Sequence, residues 1–278
     1  MKKFIRRFMA NRGAVAGLAI FILVIVLALT CSFWFESPWT MLGQPLLPPL
    51  QDPDFPLGTD MLGRDIAAGL AYGARVSLLV GVVSTLAAVV FGILVGSLAG
   101  FYGGRVDDVL MRFTEFFQTI PQLAMAVVLV AIFNPSIYSI VGAIAIVSWP
   151  PVARLVRSEF LSLKQREFVQ AAIVIGQTPS RIIVTQILPN AMPPIIVTAS
   201  LMIATAILTE ASLSFLGLGD RNMMSWGFMI GAARTMLREA PLMSVMPGVA
   251  ILLAVLAINL IGEGLNDAMN PQLRKRGE

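Results

Sequence analysis

Residues 168–190 read FVQAAIVIGQTPSRIIVTQILPN. Long apolar runs lie on either side, yet here polar and apolar residues alternate at helical spacing. One glycine and two prolines cut the passage into pieces. Phe168, Ala171, Ala172 and Ile175 fall at i, i+3, i+4 and i+7, one face of a short helix. Gly176 suits a left-handed helix end. Thr178 then suits an N-cap and Pro179 the first position of a second helix, which Pro189 is expected to stop or kink. The passage reads as helix, sharp turn, helix. Its first helix has only about two turns and is not stable alone in water, so its apolar face must rest on something. Small Ala171 and Ala172 permit a close approach. Two supports are open: the chain's own bundle, or another protein that grips the loop.

The rest of the chain is built for lipid. Of 278 residues 57% are hydrophobic and 13% charged, about half the charge of a soluble globular domain. Six runs approach the roughly 20 residues that cross a bilayer: 14–34, 76–99, 109–132, 136–152, 191–213 and 245–261. The expected fold is an all-α polytopic membrane protein with six transmembrane helices. A net charge of +4 does not mark a nucleic-acid partner, because the basic residues form no single patch. They sort by side, as the positive-inside rule requires. With the N-terminus inside, Arg64, Arg75, Arg221, Arg234 and Arg238 fall outside and the other 15 of the 20 Lys and Arg fall inside. Both termini and the opening passage are therefore expected in the cytoplasm.

The N-terminal run is longer than a signal-peptide core and reads as an uncleaved anchor helix, residues 1–35 with its cytosolic start. Cys31 within it is a small apolar filler. Residues 36–72 are expected outside, in the periplasm: 36–65 are dense in proline and acid and read as irregular, and Thr59 and Asp60 are expected to cap a short helix leading to Arg75. Residues 73–264 form one membrane core, with the cytosolic loop at 153–190, and 265–278 form a cytosolic tail. Gly92, Gly96 and Gly100, spaced by four, make a flat strip on one helix face. It serves packing within the subunit, or a contact with another subunit or with the pathway. Residues 210–241, with Trp226, Phe228 and Met229, suggest a helix along the outer face, packed on its own bundle or touching a partner or the entrance of a pathway. Asp220, Arg221, Arg234, Arg238 and Glu239 are candidates there for contact with an external protein, or are simply solvated charges.

The opening passage resembles the EAA loop of ABC importer permeases: Glu-Ala-Ala, three residues, Gly, a spacer, then Ile-x-Leu-Pro. This chain carries Gln170-Ala171-Ala172, Gly176 and Leu188-Pro189. It departs at Gln170, which replaces the Glu, and at Ile187, one place later than the pattern's Ile, where Gln186 stands. FPLGTDMLGRD (55–65), YGARVSLLVG (72–81), EASLSFLGLG (210–219) and NLIGEGLNDAMNPQLR (259–274) resemble the C-type permeases of dipeptide, oligopeptide and nickel importers. The resemblance covers nearly the whole chain. It implies a type I importer permease fold in the bacterial inner membrane. It also implies a coupling helix on an ATPase subunit, made of Phe168, Gln170, Ala171, Ala172, Ile175, Gly176, Leu188 and Pro189. The implied partners are a second homologous permease, two ATP-binding subunits and an extracytoplasmic solute-binding protein, besides membrane lipid. Peptides are the implied cargo, with opines and nickel chelates as alternatives.

Competing classes fit less well. The chain contains no histidine, which removes Ser-His-Asp and His-metal chemistry. Glu115 and Glu210 are expected at opposite depths, so they are no acid–base pair. A secondary transporter commonly carries midplane ion-coupling groups and an internal repeat, neither of which is evident. Lys2, Lys3, Lys164 and Lys275 are the only lysines and none follows glycine, so a P-loop is absent. The chain is expected to bind no cofactor, with ATP and Mg held by the ATPase partners.

Overall fold

The computed structural model describes residues 2–269; Arg274, Lys275 and Arg276, counted above for orientation, lie outside them. Helix α1 (Lys2–Ala10) leads to α2 (Arg12–Trp34), which begins where the Asn11 side chain accepts the Ala14 N–H at 3.1 Å. Then follow α3 (Ile66–Tyr102), α4 (Gly104–Thr119), α5 (Gln122–Phe133) and α6 (Ile137–Lys164). The loop region holds α7 (Glu167–Val174) and α8 (Pro179–Arg181). A π-helical turn (Ile182–Ile187) joins α8 to α9 (Leu188–Leu213), and a second π turn (Ser214–Leu218) ends it. Last come α10 (Trp226–Ala233) and α11 (Leu242–Met269). Five helical stretches are long and apolar enough to cross a membrane, six when the bent pair α4–α5 counts as one. That makes the chain an all-helical polytopic membrane protein. The start of α2, the α7 loop and the end of α11 share one end of the bundle, called here the loop end; residues 36–65 and α10 share the far end.

The bundle is organised on α3, whose glycines admit other helices at backbone distance. A Cβ on Gly92 would stand 2.6 Å from Val152 Cβ, one on Gly96 2.7 Å from Val156 Cβ, and one on Gly100 2.6 Å from Phe160 Cβ. The strip thus faces α6 of the same subunit. Nearer the far end Gly81 meets Ile207 of α9 and Gly73 meets Trp226 of α10 in the same way. Such close approach replaces the hydrophobic drive that lipid does not supply. Cys31 is buried, its Sγ–H donating to Ala28 O of its own helix at 3.2 Å.

Three expectations need correction. The third span is not one straight helix over 109–132: α4 and α5 meet at 85°. Pro121 forces Ile120 out of the helical region, to φ −94° and ψ 131°, and the axis turns there. The second long helix starts at Ile66 and runs on through Arg75, so no separate short helix precedes the span expected at 76–99. Its cap is Asp65, whose carboxylate accepts the Ala67 N–H at 2.8 Å. Thr59 and Asp60 instead build the preceding turn: Asp60 accepts the N–H groups of Leu62 and Arg64, and the Thr59 hydroxyl bridges Gln44 and Leu47. Finally, Pro189 does not stop its helix. Residues Pro179–Leu218 run as one span, because the π turn before Pro189 opens the spiral and lets Leu188 N–H reach Ile183 O.

Candidate functional site

Helix α7 projects at the loop end as a peg with a fixed stop. Gly176 has φ +82°. Its N–H bonds Ile173 O at 2.9 Å while Gln177 N–H bonds Ala172 O at 3.1 Å, the paired closure of a Schellman motif. A Cβ at Gly176 would meet no atom within 4 Å, so glycine is required by the backbone and not by crowding. Pro179 opens α8 behind Thr178, whose side chain makes no capping bond.

The peg has two sides, and they divide the face expected from the sequence. Val169 and Ala172 are buried in a cluster with Phe160, Ile182, Ile187 and Ala191. Phe168, Ala171 and Ile175 point away from the bundle; Ile175 is 78% and neighbouring Val174 87% exposed. All but two of the eight α7 residues are apolar, so periodicity alone could not orient the helix. Gln170 is exposed and turns its amide back on the loop, Nε2 donating to Lys164 O at 2.9 Å. Lys164 in turn donates to Phe101 O at the end of α3, a cation satisfying a terminal helix carbonyl. Leu188 is half-buried and Pro189 exposed, at the base of the loop.

Above the peg, α4 is held to α6 by two contacts that sequence reading missed. Asp107 receives both Nε–H and an Nη2–H of Arg157, the only salt bridge among the described residues. Trp149 is ringed by Phe91, Phe113 and Phe117 at centroid distances of 4.9, 5.7 and 5.4 Å. Asp107 and Arg157 lie fifty residues apart, and no local pattern links them.

At the far end Glu210 is 3% exposed. Its Oε1 accepts the hydroxyls of Ser214 at 2.8 Å and Ser225 at 2.7 Å. Ser225 also caps α10, accepting Phe228 N–H at 3.0 Å. Glu115 lies exposed on α4, so the two carboxyls are not brought together. Helix α10 does lie across the far end; its first residue, Trp226, is buried and donates Nε1–H to Leu70 O at 2.9 Å. Of the charged residues named there, Asp220 is turned inward and accepts Ile137 N–H at 2.9 Å. Arg221, Arg234, Arg238 and Glu239 are exposed. Among the described residues no group of His, Cys, Asp and Glu could hold a metal ion.

Comparison with known proteins places this geometry. Residues 92–275 match the family model described as binding-protein-dependent transport system inner membrane component, and residues 1–49 match the N-terminal TM domain of oligopeptide transport permease C. The chain is 39% identical to the di/tripeptide transport system permease protein DppC of Pseudomonas aeruginosa, over 99% of this chain and 93% of that protein. It is 41% identical to the dipeptide transport system permease protein DppC of Alkalihalophilus pseudofirmus, covering 95% and 87%. It is 37% identical to the oligopeptide transport system permease protein OppC of Bacillus subtilis, covering 97% and 88%. In fold it resembles a chain of the inward-facing MetNI methionine ABC transporter, with TM-score 0.58 and 18% identity over 71% of this chain and 96% of that one. The chain therefore belongs to the binding-protein-dependent transport system inner membrane components, as a C-type ABC importer permease: a multi-pass transport subunit with no ATPase site of its own.

Proposed function

We propose that this subunit forms half of a transmembrane pathway for di- and oligopeptides and that α7 is its coupling helix. The peptide cargo is argued from the peptide permeases it resembles over nearly its full length. The coupling role rests chiefly on one observation: α7 is anchored on one side by Val169 and Ala172 and presents apolar Phe168, Ala171, Val174 and Ile175 on the other. An exposed apolar surface on a rigid, capped projection suits a protein groove. ATP-driven closure of two ATPase subunits would move the peg, and the helices fused to it would rearrange to open the pathway to substrate. A second permease completes the pathway, a solute-binding protein delivers cargo, and both termini lie in the cytoplasm.

The test is Ala171→Glu. Added bulk at a close contact costs about 1–3 kcal/mol, and an unpaired charge in a dry interface costs more. The expected result is a subunit that inserts and pairs with its permease partner but no longer co-purifies with the ATPase subunits or supports uptake. Gln170→Glu should be tolerated. Normal uptake by well-expressed Ala171→Glu would refute the peg.

A further inference from the structure

The far end carries a cleft that none of the contacts described above fills. It lies between the π turn Ser214–Leu218 and α10, with Ser214, Gly217, Gly231 and Phe228 in its wall and Arg221 and Arg234 on its rim. Gly217 has φ +86°, and a Cβ there would meet nothing within 4 Å, so the wall is bare backbone facing open space. Arg234 is steadied by an Nη1–H bond to Phe215 O at 3.4 Å. Neither arginine has a carboxylate partner among the described residues. Neighbouring Asp220 is paired with neither, and turns its two oxygens to the N–H groups of Ile137 and Asn222. Two guanidinia over a concave wall with no acid in it make a receptor for a carboxylate, which arginine binds through two parallel N–H bonds.

The floor of this cleft is stiff. A Cβ on Gly231 would lie 2.7 Å from Ser214 O, and one on Gly227 2.6 Å from Ala211 Cα, so α10 sits at backbone distance on the end of α9. Glu210 ties the two together through Ser214 and Ser225. Ser214 itself belongs to the Pro179–Leu218 span, whose opposite end starts three residues after Gly176. One helix therefore connects the cleft to the α7 loop.

We propose that the cleft seats an acidic side chain of the extracytoplasmic solute-binding protein between Arg221 and Arg234, and that the Pro179–Leu218 helix links this docking to the coupling loop. The inference rests on the importer reading above and on the far end facing outward. Its test uses the importer reconstituted with both permeases and ATPase subunits, titrated with peptide-loaded solute-binding protein. The readout is the protein concentration giving half-maximal ATPase activity, each curve scaled to its own plateau.

The double variant Arg221→Ala, Arg234→Ala should raise that concentration about tenfold or more. It should also flatten the rise with salt that screening predicts for the unaltered complex. The Lys pair should fall between, keeping charge but losing the planar fork. A double-Ala titration matching the unaltered importer overturns the proposal. So does an unchanged titration coupled with lost discrimination against C-terminally amidated peptides, which would make the cleft a reader of cargo. An unaltered complex that no binding protein stimulates would instead remove the importer reading, and this inference with it.

Discussion

Among the prolines at or within the helices of this chain, Pro121 and Pro189 have opposite effects. At Pro121 the axis turns by 85°; at Pro189 the helix continues to Leu218. Each lacks an N–H and each crowds the preceding turn, so the difference lies in the surroundings. Around Pro189 the wide turn gives the ring room, Ile182, Ile187 and Ala191 are buried in a common cluster, and Asn190 Nδ2 donates to Gln186 O. Residues 119–124 are exposed throughout, so no packing opposes the turn there. A proline bends a membrane helix where neighbours leave it alone and is absorbed where they hold it.

This contrast can be attacked from both sides. The largest effect is expected at Ile187, which is fully buried beside the tolerated proline. Ile187→Ala should cost about 2–4 kcal/mol, seen as a lower melting temperature in detergent. A loss comparable to that of an exposed site would mean that packing does not hold the span together. An intermediate effect is expected from Asp107→Ala, which strands Arg157 and leaves only the Trp149 cluster to hold α4 to α6. The pair is partly accessible, with side chains 13% and 35% exposed, so about 1–2 kcal/mol is expected, between exposed and buried pairs. A double-mutant cycle with Arg157→Ala should recover most of it. The smallest stability change, within about 0.5 kcal/mol, is expected from Pro121→Ala, yet it should relax the bend. Spin labels at exposed Val109 and Ile132 would then show a longer distance population, and an unchanged distribution would assign the bend to something other than the proline.

The sequence disclosed most of the architecture and part of the site. Spans were legible because lipid demands length and apolarity in one unbroken run. The stop at Gly176 was legible because few residues adopt positive φ, and glycine does so freely. Three things were not legible. Whether Pro121 or Pro189 breaks its helix depends on neighbours distant in sequence. The orientation of α7 was hidden by apolar residues on every side. The Glu210 and Asp107 partnerships join residues 15 and 50 positions apart, and Glu210 stood out only as a carboxyl in a greasy run. The cap at Asp65 was missed for a simpler reason: Thr59 and Asp60 offer the same chemistry one turn earlier.

The wide turn before Pro189 leaves its own mark on the spelling of the chain. Where an α-helix brings every third or fourth residue to one side, a spiral closing on the fifth brings residues five apart there. Ile182 and Ile187 are so spaced, and both are buried. In tight winding that inner place would fall to a residue at 185 or 186, which are Thr185, bonded to Arg181 O, and Gln186, half-exposed. The isoleucine that stands one place late against the EAA pattern is thus in phase with its own helix, and a reader scoring residues by column would count as a mismatch what the backbone has already re-registered.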